Sequence, residues 1–192
     1  MYDLVDILKQ NIANPGAGGG LKSIVYAILV ADVKVFPSRG VDLITIVSPF
    51  QLNLGKFAHM IYATNQTIQP KETKLNGDNK DSGGVEISLE FFHPGLAAAI
   101  QEFKAKHMNS DFYILIQNCS ANMTYLIGEP CNPVWLDAWE STWGKTVAEG
   151  KGTTFTFKSQ QSLPMAIYSS SIEDLLDSGS GSTSPSPSVS GA

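Results

Sequence analysis

Soft metal ligands and basic residues are both scarce in this 192-residue sequence, which has two cysteines, three histidines, and 13 lysines and arginines against 18 aspartates and glutamates. Cys119 and Cys131 are too few for a disulfide framework and lack the C-x-x-C spacing of a zinc knuckle or redox pair. A hairpin turning about Ser120 and Ala121 would leave Cys119 near the turn and Cys131 past the returning strand. The two would not face each other, so both are expected as reduced core thiols. His59, His93 and His107 stand apart along the chain without H-E-x-x-H spacing, which points to structural or surface histidines and to no metal centre. A formal charge of -5 excludes a surface built to neutralise phosphates, because that takes clustered Lys and Arg. No apolar run approaches the roughly 20 residues that span a bilayer. The opening Met1-Tyr2-Asp3-Leu4-Val5-Asp6 carries acids where a secretory leader carries bases. The expectation is a chain that folds in a cytoplasm without membrane insertion.

What is present suits one core, since 43% of the residues are hydrophobic. Leu4, Val5, Leu8 and Ile12 recur at helical spacing, so a short helix is predicted over 1–14, with a glycine-rich tether over 15–23. Residues 24–177 read as one β-rich domain. Ile24–Val35 and Leu43–Phe50 are rich in Val and Ile with turn residues Pro37-Ser38-Arg39-Gly40 between them, which predicts two strands joined as a hairpin. Residues 64–84 are polar and glycine-marked, the composition of a long exposed loop or hairpin arm. Val85, Ile87, Leu89 and Phe91 alternate with polar residues, the period of a half-buried strand. Pro94 opens a predicted amphipathic helix to 107, with Leu96, Ile100 and Phe103 inward and Glu102, Lys104 and Lys106 outward. Strands are predicted at Phe112–Gln117 and Met123–Ile127, and a further pair around Trp135 and Thr153–Phe157. Ser178–Ala192 carries neither charge nor hydrophobic period and is expected to be a disordered tail. The fold class is mainly β (α+β): a β-sandwich or open barrel with one flanking helix.

Several patterns mimic chemistry and fail on their mechanics. Gly144-Lys145-Thr146 ends like a phosphate loop, but Trp139 stands where the leading glycine is needed. Gly16–Gly20 follows a helix and precedes a strand, the reverse of a dinucleotide fingerprint. Asn76–Asp81 resembles a calcium loop, yet Lys80 falls on a ligand position and Ile87 on the one that needs Glu. No serine sits in a G-x-S-x-G elbow. No catalytic, cofactor-binding or metal residues are therefore assigned, and the chain is read as a non-enzyme. Trp135, Trp139 and Trp143 recur every four residues, a spacing that puts them on one face of a helix or strand. Such a row is either a set of core or subunit-interface anchors, or an exposed platform for stacking sugars.

Asp111–Asn118, Leu126–Pro133, Gly152–Phe157 and the closing Pro164–Tyr168 run as strand, short turn, returning strand, Pro-bearing loop and last hairpin. In that order and over roughly residues 85–168, the chain resembles virion structural proteins of phages infecting Bacteroidota, although Ser120-Ala121 replaces the glycine usual in the turn. Those proteins in turn resemble the tail-tube superfamily. The resemblance implies a tail-tube-like sandwich that assembles into stacked rings around a DNA conduit, with the 64–84 arm reaching the next ring. The partners it implies are copies of the chain, other phage tail or neck proteins, and DNA in transient, repulsive contact with an acidic lumen. The location implied is the virion. A neck or tail-terminator ring stays open within that class, a carbohydrate-binding β-sandwich outside it, and a hydrolase more remotely.

Overall fold

The computed structural model describes residues 20–78, 83–119, 123–145 and 150–176. The predicted N-terminal helix and C-terminal tail fall outside these residues, as does most of the tether. In chain order the elements are β1 (Leu21–Leu29), β2 (Val33–Val35), β3 (Thr45–Ile46), β4 (Gln51–Leu52), β5 (His59–Tyr62), β6 (Gln69–Asn76) and β7 (Gly83–Pro94). They continue with α1 (Ala98–His107), β8 (Asp111–Asn118), β9 (Thr124–Ile127), β10 (Val134–Thr142), β11 (Gly152–Gln161) and β12 (Ala166–Tyr168). The chain is mainly β, as expected.

Ten of the strands form one hydrogen-bonded sheet that doubles over at the step from β8 to β10. β9 occupies β8 opposite Ile114–Gln117, and β10 takes over opposite Phe112 and Asp111. From there two limbs diverge: β5-β1-β8-β9-β12-β3, and β10-β11-β7-β6. They face each other across a core that joins Val25, Phe112, Ile114 and Ile116 of the first limb to Ile87, Phe91, Phe155 and Phe157 of the second. Phe112 meets Phe157 edge-on with ring centroids 5.7 Å apart. α1 lies over one end of this core through Ile100 and Phe103.

β1 and β8 are buried on both faces, which is why each reads as an unbroken apolar run (Ile24–Leu29, Phe112–Ile116) rather than an alternating one. Their other face, with Tyr26, Ile28, Tyr113 and Leu115, carries a second core closed by Phe50, Tyr168, Ile172 and Leu175. This layer is mostly irregular chain, so tertiary bonds hold it. The Tyr168 hydroxyl accepts the Phe50 N–H at 3.3 Å, and the Leu175 carbonyl accepts the Ala58 N–H at 2.8 Å.

Several expectations need correction. The 15–23 tether ends sooner, because Leu21–Ser23 already belong to β1. Ile24–Val35 is broken by a 3-10 turn at Val30–Asp32, and Leu43–Phe50 keeps only the two-residue β3, which runs parallel to β12. The predicted hairpin between these segments does not form as such: β2 pairs with β4, just past Phe50, and nearer the turn a single antiparallel bridge joins Arg39 to Ile46. The 64–84 arm is a hairpin laid along the sheet, with Gln69–Asn76 paired residue by residue to Gly83–Glu90. α1 starts at Ala98 instead of Pro94, which ends β7, because Gly95 takes a positive φ of 89° and turns the chain. Lys104 points inward at 7% exposure, since it shares a helix face with Ile100, Phe103 and His107. Both cysteines are free, but exposed, and so are not core thiols.

Candidate functional site

Two surfaces of opposite character stand out. The first surrounds β5, which pairs as a strand only with β1 among the described residues; its other edge is tied at the two ends, where the Ala58 N–H meets the Leu175 carbonyl and the Tyr62 carbonyl meets His93, and is open between them at Met60. Met60 lies opposite Tyr26 and Tyr62 opposite Ile24, so both project on the face away from the inter-limb core; they are 56% and 51% exposed. Leu54 and Phe57, in the approach to β5, are exposed as well. An open apolar strand edge is a template for pairing with another chain, and β6, at the far edge of the second limb, shows how such an edge is usually blunted. It carries Pro70, Lys71 and Lys74; β5 has neither proline nor lysine.

The second surface is the outer face of the limb β10-β11-β7-β6. Cross-strand partners share a face, so the register places Gln69, Lys71 and Thr73 with Glu86, Ser88 and Glu90, and these with Thr156, Lys158 and Gln160. Trp135, Ala138 and Glu140 complete it from β10. Asp137 reaches Lys158 at 2.8 Å, and that hydrogen bond holds the carboxyl below and the ammonium above its ordinary range. Glu86, Glu90, Asp137 and Glu140 outnumber Lys71 and Lys158, so the face is polar and acidic.

The tryptophans do not form the expected row. Between Leu136 and Ala138 the β10–β11 register slips by one residue, a bulge that reverses the alternation. Trp135 pairs with Lys158 on the outer face, whereas Trp139 pairs with Phe155 on the core-facing side, at the margin of the helix-covered end. They are 37% and 36% exposed, and Trp143 is 71% exposed. None is a core anchor.

Among the described residues, no three His, Cys, Asp or Glu side chains gather at metal-binding distance. His93 meets the Tyr62 carbonyl at 2.7 Å, while His107 meets the Ser110 hydroxyl at 3.2 Å and rests against Phe103. Of the phosphate-loop mimic, Thr146 lies outside the described residues, as do Asn79 to Asp81 of the calcium-loop mimic. Two polar constellations had no warning in the sequence, because their members are far apart along the chain. In one, Lys104 Nζ donates to Ser141 Oγ at 3.1 Å, and Ser141 Oγ lies 2.9 Å from Thr153 Oγ1. In the other, Glu129 accepts from Arg39 at 3.1 Å and from the Ser162 N–H and hydroxyl at 3.1 and 2.7 Å. Arg39 also donates to the Leu43 and Pro164 carbonyls. The Arg39–Glu129 node ties together the loops that hold Arg39 and Leu43, Glu129, and Ser162 and Pro164.

No protein-family description, curated protein or solved structure matches this chain. No helix among the described residues is long and apolar enough to cross a membrane.

Proposed function

We propose that this chain is a structural subunit of a bacteriophage virion, made in the host cytoplasm, and that it is a tail-tube protein joining copies of itself into stacked rings around a DNA conduit. The observation that carries the reading is the apolar patch of Met60 and Tyr62, exposed beside the part of the β5 edge that is open at Met60. In a chain that stays single such an edge is a hazard; in one that assembles it is a joint. The β-sandwich with one helix is the fold class that the resemblance to tail-tube-like proteins implies. The acidic outer face supports the conduit, because carboxylates facing a lumen repel phosphates and keep DNA from condensing on the wall. Other tail or neck proteins would then cap the ends of the stack.

Negative-stain microscopy and sedimentation of the purified protein at high concentration test this. Rings or tubes are expected, and the double variant Met60→Lys, Tyr62→Lys should sediment as a monomer with a melting temperature within a few degrees of the parent, since both side chains are exposed. Single rings that never stack would point to a terminator or neck ring. A parent protein that stays monomeric at every concentration would overturn the assembly reading.

A further inference from the structure

The two ends of the inter-limb core are closed unequally. At the end of β1 and β8 marked by Leu29 and Phe112, α1 covers the core, with the Phe103 ring 5.7 Å from Phe155. At the opposite end, marked by Leu21 and Asn118, a groove of about 460 Å³ opens between β6 and the β1-β8-β9 side. Leu21, Ile68, Pro70, Ile116, Tyr125 and Met165 line it. Leu21, Ile68, Tyr125 and Met165 form the half-buried margin of the core. Gly20 sits on the rim, its carbonyl accepting the Cys119 N–H at 3.0 Å, so the described part of the chain begins at the groove itself.

We propose that residues 3–12 of the same chain dock in this groove as an amphipathic helix, the counterpart of α1. Leu4, Val5, Leu8 and Ile12 supply an apolar stripe, and Asp3, Asp6, Lys9 and Gln10 supply polar residues around it. The segment has the length of α1, ten residues, and as a helix would run about 15 Å. Residues 13–20, which join the segment to the domain, span at most roughly 28 Å when extended, enough to turn back onto the groove and too short to reach far beyond it. A tether of this length holds the segment at millimolar effective concentration, which favours the chain's own groove over that of a second copy. The inference is independent of the virion reading.

Hydrogen exchange on the full-length protein tests it. The amides of residues 4–12 should exchange at least about tenfold more slowly than in the free peptide, and to the same extent at low and high protein concentration. Leu8→Glu should return them to the free-peptide rate; it leaves every residue of the domain intact, so it reads docking even if a groove variant fails to fold. Met165→Glu in the groove should release the segment too, whereas Met60→Lys on the far surface should not. Free-peptide exchange in the parent, protection that survives Leu8→Glu, or release by Met60→Lys would overturn the proposal. Protection that fades on dilution would assign the groove to a second copy and overturn it as well.

Discussion

Trp135 and Trp139, four residues apart on one strand, lie on opposite faces of the sheet, the first beside Lys158 and the second beside Phe155. A single extra residue at the Leu136–Ala138 slip causes this, since side chains alternate with period two and one insertion inverts all that follow. A flat stacking platform for a sugar chain needs its aromatic rings on one surface, which the bulge denies to this pair. Because both keep more than a third of their surface exposed, Trp135→Ala and Trp139→Ala should each cost about 1 kcal/mol or less in the unassembled protein, against about 3–5 kcal/mol for a core tryptophan. Urea titrations check this. Saturable polysaccharide binding that falls equally with each substitution would restore the platform.

His107 couples stability to pH. Burial against Phe103 and Phe112 lowers its pKa, and the positive potential of His59 and Lys106 lowers it further. The unfolded chain therefore binds a proton on His107 that the folded chain refuses. The resulting stabilisation is fully present above the unfolded value, near pH 6.5, and is lost as the pH falls through the lower folded value. Melting temperatures taken from pH 7.5 to 5 should drop for the parent, and the slope should flatten in His107→Gln. An unchanged slope would exclude His107 as its source.

Much of the fold was legible where one face of an element meets water. Val85 to Phe91 alternates cleanly because Ile87, Leu89 and Phe91 enter the core while Glu86, Ser88 and Glu90 face out. Gln69–Asn76 shows no strand pattern in the sequence, since it is an edge held by its hydrogen bonds to β7 and by Glu72, which accepts the Met165 N–H, with its side chains mostly exposed. Leu43–Phe50 reads as a strand because Ile46 and Phe50 are apolar, but Ile46 serves the second core from the two-residue β3 and Phe50 from irregular chain. The charge of Lys104 suggests an outward position, although its helical spacing from Ile100 and Phe103 places it inward. The β5 edge showed no signal, because Met60 and Tyr62 become conspicuous only once their side of the sheet proves uncovered.

The Arg39–Glu129 pair should dominate the stability of the loop layer. The two side chains are 16% and 12% exposed, so removing one leaves the other charge in a poorly solvated site. Glu129→Ala should cost about 3–5 kcal/mol, a melting temperature lower by roughly 6–20 °C in a chain of this size. The double variant Arg39→Met, Glu129→Leu should recover part of that loss, because neither charge is then stranded. Additive effects of the two single sites would show that they do not act as a pair.

Gly152 tests the close approach of β11 to β7. It pairs with Pro94, and a Cβ at this position would run into the Phe92 ring and the His93 carbonyl. The ring can rotate, but the carbonyl belongs to the strand backbone, so Gly152→Ala must push β7 and β11 apart at this end of the core. The expected cost is about 1–3 kcal/mol, the range of overpacking, and heteronuclear NMR should place the shifts around His93 and Thr142. A neutral substitution would mean that the strand ends yield freely there.

The contact among Lys104, Ser141 and Thr153 sets a serine hydroxyl beside an amine, and it tests the non-enzyme reading. A serine nucleophile activated by lysine needs a neutral amine to take the hydroxyl proton, with donors for an oxyanion nearby. Here the Lys104 side chain reaches over from α1 to donate to Ser141 Oγ, and Ser141 and Thr153 share a second hydrogen bond across the β10–β11 pair. That is how a clasp between helix and sheet is built. Lys104→Met, which keeps the aliphatic stem while Ser141 and Thr153 stay bonded to each other, should change stability by about 1 kcal/mol or less. Lys104→Ala should cost more, because it also removes the packing of the stem. A fluorophosphonate probe should leave Ser141 unlabelled at any pH from 6 to 9. Labelling that disappears in Lys104→Met while the fold persists would make the pair a catalytic dyad and reopen the hydrolase reading.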